Sequence, residues 1–292
     1  MDYWTLGQAV ITGLTTGGIY ALVSVGLTII FGVMKVINFA QGEYLVIGMY
    51  ITWLLHTLTG LSPYVLFPVV AVTCFVIGHL SYMVVIKPLV GGDSTSFVVA
   101  TMGLSYVLIS LLQLIFTSNF QYINLPIKTE VFYLGGLTIG KARGIACLIM
   151  FGIVSIVYAF LQKTDIGRAM RATAENSSVA LMLGVNVKRV YAYSFAIGTM
   201  LAGLTGLLLT PIYYIYPTAG APFKTIAMVI IIMGGLGNIG GALISALIAG
   251  VTESVISVYI SADLAPAGAY LLLIFVLMFK PNGLFGKKVR SA

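Results

Sequence analysis

Lys35, Asn38, Gln41 and Glu43 fall within nine residues, and apolar runs close in on both sides (GVMKVINFAQGEYLVIG, 32–48). Amides and a carboxylate in such a setting can hydrogen-bond a small polar solute. Two arrangements are open to them. They can form a plain inner turn, with Asn38 capping the next helix and Glu43 in its first turn, where the helix dipole favours an acid. Alternatively, they can face the interior of a helix bundle along a substrate path. Glu253 is a second chemically capable group. It sits about 14 residues into an apolar run, roughly 21 Å along a helix axis. A charge at a membrane-helix centre costs about 2.5–3.5 kcal/mol on insertion scales. Glu253 must therefore either hydrogen-bond a neighbouring helix or line a water-filled route. Asn38, Gln41, Glu43 and Glu253 are the candidate path residues.

Other chemistry finds no support. Residues 235–240, Gly-Leu-Gly-Asn-Ile-Gly, satisfy G-x-G-x-x-G, but a dinucleotide site needs a strand and a βαβ unit around it. Residues 135–142, GGLTIGKA, are one short of a phosphate-binding loop. Ala142 stands where a hydroxyl would have to ligate magnesium. His56 and His79 lie on different apolar runs with no metal-ligand neighbour at helical spacing. The chain is therefore read as a non-enzyme, with no metal, no bound cofactor and no nucleotide-hydrolysing site of its own. Cys74 and Cys147 each sit inside an apolar run and read as packing residues.

The elements that must position these groups follow from composition. Of 292 residues, 60% are hydrophobic and 8% charged, and the mean hydropathy is +1.07. Soluble domains carry about 25% charged residues. A third of that cannot cover a water-facing surface, which excludes soluble enzymes and disordered chains. The net charge of +7 comes from 15 basic and 8 acidic residues scattered between apolar runs, so a nucleic-acid partner is not expected. The reading is an all-α polytopic bundle in a lipid bilayer, one domain over 1–292. Spans are expected near 7–33, 39–58, 64–86, 95–116, 143–162, 191–211, 222–235, 239–260 and 266–280, eight or nine in all. The seventh and ninth are short enough to be half-helices or re-entrant segments.

No Lys or Arg precedes Lys35, and the first apolar run is too long for a signal peptide. It is read as a retained helix with the N-terminus outside. Lys35, Lys87, Lys163, Arg168, Arg171, Lys188, Arg189, Lys280, Lys287, Lys288 and Arg290 then all fall on the cytoplasmic side, together with the C-terminus. The outer loop, about 117–142 with Pro126, Lys128, Lys141 and Arg143, is the exception. Tyr213, Tyr214 and Tyr216 fall at the outer interface.

Gly occurs 33 times, mostly inside spans. Gly13 with Gly17 and Ala202 with Gly206 form small-xxx-small pairs, which let membrane helices approach closely. The stretch MGGLGNIGG at 233–241 reads as a tight inner turn rather than a broken helix. Asn38 and Asn238 each follow a glycine-containing break and open an apolar span, a faint internal echo of the kind repeated transporter halves produce.

The inner segment, about 163–190, is the most polar in the chain. Asp165 can cap a helix running through Arg171 and Glu175, an i,i+4 pair. Ser177 or Ser178 can cap a second, carrying Val179, Leu181, Met182 and Leu183. Gly184 fits a left-handed C-terminal position, and Asn186 can cap the sixth span. Four bulky apolar residues near the tip would be exposed unless another protein covered them.

SVALMLG at 178–184 resembles the E-A-A-x-x-x-G loop of ABC importer permeases, matched at Ala180 and Gly184 and departing from it at Ser178 and Val179. The wider GRAMRATAENSSVALMLGVN (167–186), GLTIIFGVMKVINFAQGEYLVIGMY (26–50) and GGLGNIGGALISALIAG (234–250) resemble the permease subunits of branched-chain amino acid ABC importers, the shorter of the paired permeases above all. The resemblance implies a bacterial inner-membrane subunit working with a second permease, cytoplasmic ATPase subunits that bind ATP and Mg, and an extracytoplasmic solute-binding protein. It implies alternating access, driven through a coupling loop that contains Arg168, Arg171, Glu175, Ala180 and Gly184. The implied substrate is a branched-chain or related amino acid. Relatives of this pattern also carry urea, short amides and other amino acids. From the residues alone, a stand-alone channel or secondary carrier is also open.

Overall fold

The computed structural model describes residues 3–125, 130–134 and 136–286. Pro126, Lys128, Gly135 and the tail residues Lys287, Lys288 and Arg290 lie outside the described residues. The chain is a helical bundle. Its helices are α1 (Tyr3–Met34), α2 (Gln41–Thr59), α3 (Phe67–Ser81), α4 (Ser94–Phe116), α5 (Lys141–Lys163), α6 (Asp165–Glu175), α7 (Ser177–Met182), α8 (Val187–Leu209), α9 (Ala221–Gly234), α10 (Ile239–Tyr259) and α11 (Ala265–Phe279). Among the described residues, six stretches are long and apolar enough to cross a membrane: α1, α4, α5, α8, α10 and α3 with its continuation to Leu89. Each expected span overlaps a helix, the third running on past α3, and α6 and α7 occupy the polar segment; α2, α9 and α11 are not among the stretches long and apolar enough to cross. The departure from an all-α chain is a hairpin in the expected outer loop, β1 (Val131–Leu134) with β2 (Leu137–Gly140), paired Val131 to Gly140. Gln8 fastens it to α1, accepting from Thr138 N at 2.9 Å and donating to Thr138 O at 2.6 Å.

Glycine decides how closely the long helices cross. A β-carbon on Gly13 or Gly17 would enter the backbone of α10 at Gly250–Val251 and Ala246–Leu247. One on Gly206 would enter α2 at Leu45 and Met49. Both predicted small-residue pairs are thus helix contacts. Cys74 and Cys147 are free and buried, the first packed on Gly203 and the second on Gly18.

The contacts have a reciprocal pattern. α1 lies antiparallel to α10, with Gly13 at Gly250 and Gly32 at Gly237. α8 lies antiparallel to α3, with Gly78 at Thr199 and Gly203 at Cys74. α1 and α8 cross antiparallel, Gly26 meeting Leu201 and Gly198 meeting Ile30. α2 packs on α8 and α9 on α1, while α2 and α9 touch at Gly42 and Gly220. This arrangement relates α1–α3 to α8–α10 as inverted halves about an axis across the bundle, as in many transporters. The counterpart of α2 is α9. Asn238 instead opens α10, the counterpart of α3, so the Asn38–Asn238 echo does not mark the repeat.

The glycine stretch at 233–241 is a tight turn joining α9 to α10, with Gly235 at φ +98° and Gly237 at φ +83°. Both values require glycine or strain. The turn also holds the chain end. Leu284 N donates to Met233 O at 2.8 Å, and Asn238 Nδ2 to Phe285 O at 3.0 Å.

Candidate functional site

The chain between α8 and α9 breaks the run of membrane helices. Pro211, Pro217 and Gly220 interrupt it, and Ile215 leaves helical geometry to pair with Gln121, beyond the end of α4. Pro222, in the first turn of α9, suits a helix start. α9 is only 14 residues long. α2 begins after a buried connection at Val36–Ala40. Its start is level with the middle of α8, because Gln41 Nε2 donates to the carbonyl of Gly198 at 3.0 Å. Gly198 stands halfway along Val187–Leu209, about 16 Å from either end. The interrupted helices α2 and α9 therefore meet near the middle of the bundle, and neither has a side-chain N-cap.

Asn38, Gln41 and Glu43 come together there, all buried. Asn38 does not cap α2. Its Oδ1 accepts from Ala40 N at 3.1 Å and its amide donates to Gln41 Oε1 at 3.2 Å, which closes the turn one residue before the helix. Gln41 is held on α8 as above. The two amides thus fix the backbone. Glu43 is different. It is 2% exposed, and its Oε1 accepts from Lys224 Nζ at 3.0 Å, while Oε2 is buried with no hydrogen-bond partner. Lys224 also donates to Ser105 Oγ of α4 at 3.3 Å. Lys224 is the residue that sequence reasoning missed. The available signal was a lone lysine in the seventh apolar run, which needs a carboxylate partner as much as Glu43 needs a cation.

Glu253 is not part of this cluster. It lies half-buried between α10 and α1, where Tyr20 Oη donates to its Oε2 at 2.8 Å. That is the interhelical hydrogen bond, one of its two expected roles. Replacing Tyr20 with Phe removes the donor, and losing such a bond to a carboxylate costs about 1–3 kcal/mol. The expected result is a melting midpoint lower by a few degrees in detergent. Glu253→Gln keeps an acceptor and is expected to keep both stability and transport. A folded Glu253→Gln protein without transport would put Glu253 on the path.

The polar segment at 163–190 folds as two helices, whose own caps differ from those expected. Thr164, in extended geometry, accepts from Gly167 N at 3.0 Å. Asp165 is instead the first helical residue and pairs with Arg168. Asn176, not Ser177 or Ser178, caps α7, accepting from Ser178 N at 3.0 Å and Val179 N at 3.1 Å. Asn186 caps α8 as expected, accepting from Arg189 N at 3.1 Å. Gly184 is left-handed at φ +86°. Met170 and Ala180 anchor the segment in buried positions, while Val179, Leu181, Met182 and Leu183 are exposed. Arg171 and Glu175 line a cleft of about 830 Å³ beside Lys35, Asn238 and Phe285.

The profile described as branched-chain amino acid transport system / permease component matches residues 9–280. The chain belongs to this permease family. BraD, a high-affinity branched-chain amino acid transport system permease of Pseudomonas aeruginosa, is 29% identical over 96% of this chain and 95% of its own. LivH of Escherichia coli is 29% identical over the same shares. A probable branched-chain permease LivH of Methanocaldococcus jannaschii is 28% identical over 91% of this chain and 88% of its own. No solved structure matches the chain.

Proposed function

We propose that this permease moves branched-chain amino acids into the cytoplasm by alternating access, as one subunit of an ATP-driven importer. The family match from 9 to 280 carries this reading. The partners are a second permease subunit, cytoplasmic ATPase subunits that bind ATP and Mg, and an extracytoplasmic solute-binding protein, in a bacterial inner membrane. The single domain spans 1–292. Most basic residues lie at the end bearing α6 and α7, which we orient inward with the C-terminus, leaving the N-terminus and hairpin outside.

The coupling segment is 163–190. Arg168, Arg171, Glu175, Ala180 and Gly184 shape and hold it, and its exposed apolar tip enters the ATPase surface. The substrate path runs past Asn38, Gln41 and Glu43 where α2 and α9 meet. Rotation of the inverted halves about that point would open it to either side.

The test is uptake of labelled leucine, isoleucine and valine into vesicles holding the full complex. Uptake that needs ATP and the binding protein is the expected result. ATP-independent flux would replace the importer with a channel or carrier, and transport of urea or short amides alone would overturn the substrate class.

A further inference from the structure

We propose that Glu43 and Lys224 form the recognition site for the charged head group of the transported amino acid, its ammonium on Glu43 and its carboxylate on Lys224. This rests on the amino-acid reading above. Taking two charges out of water is costly, and a buried pair often does no better than well-packed apolar side chains. A purely structural tie between α2 and α9 therefore has no need of these charges. The local charge balance is also uneven. Each helix N-terminus carries about half a positive charge, and those of α2 and α9 meet at Gly42 and Gly220 without side-chain caps. Lys224 sits in the first turn of α9, where the dipole disfavours a cation. One carboxylate faces two positive helix ends and an ammonium group.

Lys224 and the two uncapped helix ends can therefore hold a carboxylate besides that of Glu43. At the same place, Glu43 Oε2 is buried with no hydrogen-bond partner, while Ser105 is already within reach of Lys224. In the closed arrangement the two side chains neutralise each other. A zwitterion presents the same two charges with complementary sign. It can enter between them as the halves part, giving its ammonium to Oε2 and its carboxylate to Nζ and the helix ends. Net charge at the centre of the bundle then stays constant through the cycle, and a solute with only one of the two groups leaves a buried charge unmatched. Sites built around such polar groups reject analogues that lack them by about 10⁴–10⁵-fold.

The test uses the full complex. Glu43→Gln and Lys224→Met each leave one charge buried and are expected to assemble poorly. Two double variants avoid this: the reversed pair Glu43→Lys with Lys224→Glu, and the neutral pair Glu43→Gln with Lys224→Met. Both are expected to recover assembly with the partner subunits, with leucine uptake about a hundredfold below wild type. Uptake near wild type in either would reduce the pair to a structural tie and overturn the proposal. A measurement on the wild-type complex without binding protein needs no variant. Leucine should raise its melting temperature, whereas 4-methylpentanoate, lacking the ammonium, and 3-methylbutylamine, lacking the carboxylate, should not. Equal stabilisation by all three, or none by leucine, overturns the head-group site. Wild-type leucine uptake separates the two readings, since its absence would defeat the importer assignment itself.

Discussion

Gly48→Leu is expected to leave almost no folded permease in mild detergent. α2 and α8 run parallel and touch backbone to backbone, so a β-carbon on Gly48 would enter the main chain of Gly203. Neither side can yield. Gly203 is backed by Cys74, and Gly206 is already against Leu45 and Met49. Adding a methylene to a packed core costs about 1–3 kcal/mol even where side chains can adjust. Here four heavy atoms must be placed against main chain, so the helices must separate along their length. That separation would also lift Gln41 from Gly198 and draw Glu43 off Lys224. Gly152→Ala on α5 is the matched control. A β-carbon there meets nothing within 4 Å, and alanine favours helix by up to about 1 kcal/mol. Its melting midpoint should equal or exceed wild type. The check is the monodisperse fraction on size exclusion together with the melting midpoint. A Gly48→Leu protein that elutes and melts like wild type would show that α2 and α8 do not cross as described.

The helices were legible because lipid leaves the backbone no alternative. Apolar runs of sufficient length must become helices, and the expected spans agree with the observed ends within a few residues. Caps were less legible, because several side chains near each helix start can accept the same N–H groups. Thr164 stands in for Asp165 and Asn176 for Ser177 for that reason. Part of the site could be read and part could not. Asn38, Gln41 and Glu43 are close in sequence, so one polar interruption revealed all three. Lys224 is 181 positions from Glu43, and only the fold joins them. Composition cannot show which lone charge faces which. Nor could the inverted repeat be read, because it is carried by glycine contacts and helix direction, not by repeated residues. Glu253 shows the converse case. Its isolation in the sequence drew attention, yet Tyr20 satisfies it between two packed helices.

The double variant Met182→Asp with Leu183→Asp is expected to detach the ATPase subunits from the permease. Met182 is 86% exposed and Leu183 77%, at the tip of a segment whose base is fixed by buried Met170 and Ala180. Covering two such side chains contributes about 1.5–3 kcal/mol each. Replacing them with carboxylates forfeits that and adds two charges that docking on the proposed ATPase surface would have to desolvate. Association with the ATPase subunits should weaken by at least about a hundredfold, and leucine uptake should fall with it. The bundle itself should be untouched, since both positions are exposed and outside the core. Gly184→Val is a milder companion. Its surroundings are open, but its left-handed φ strains a β-branched residue by about 1–2 kcal/mol, which distorts the tip without adding charge. The comparison is co-purification of the ATPase subunits with each variant, beside the melting midpoint of the permease. Loss of the ATPase from a normally melting Met182→Asp, Leu183→Asp protein is the expected result. Full co-purification and uptake would mean that the apolar tip lies outside the ATPase interface, and the coupling surface would then have to be sought along the cleft at Arg171 and Glu175.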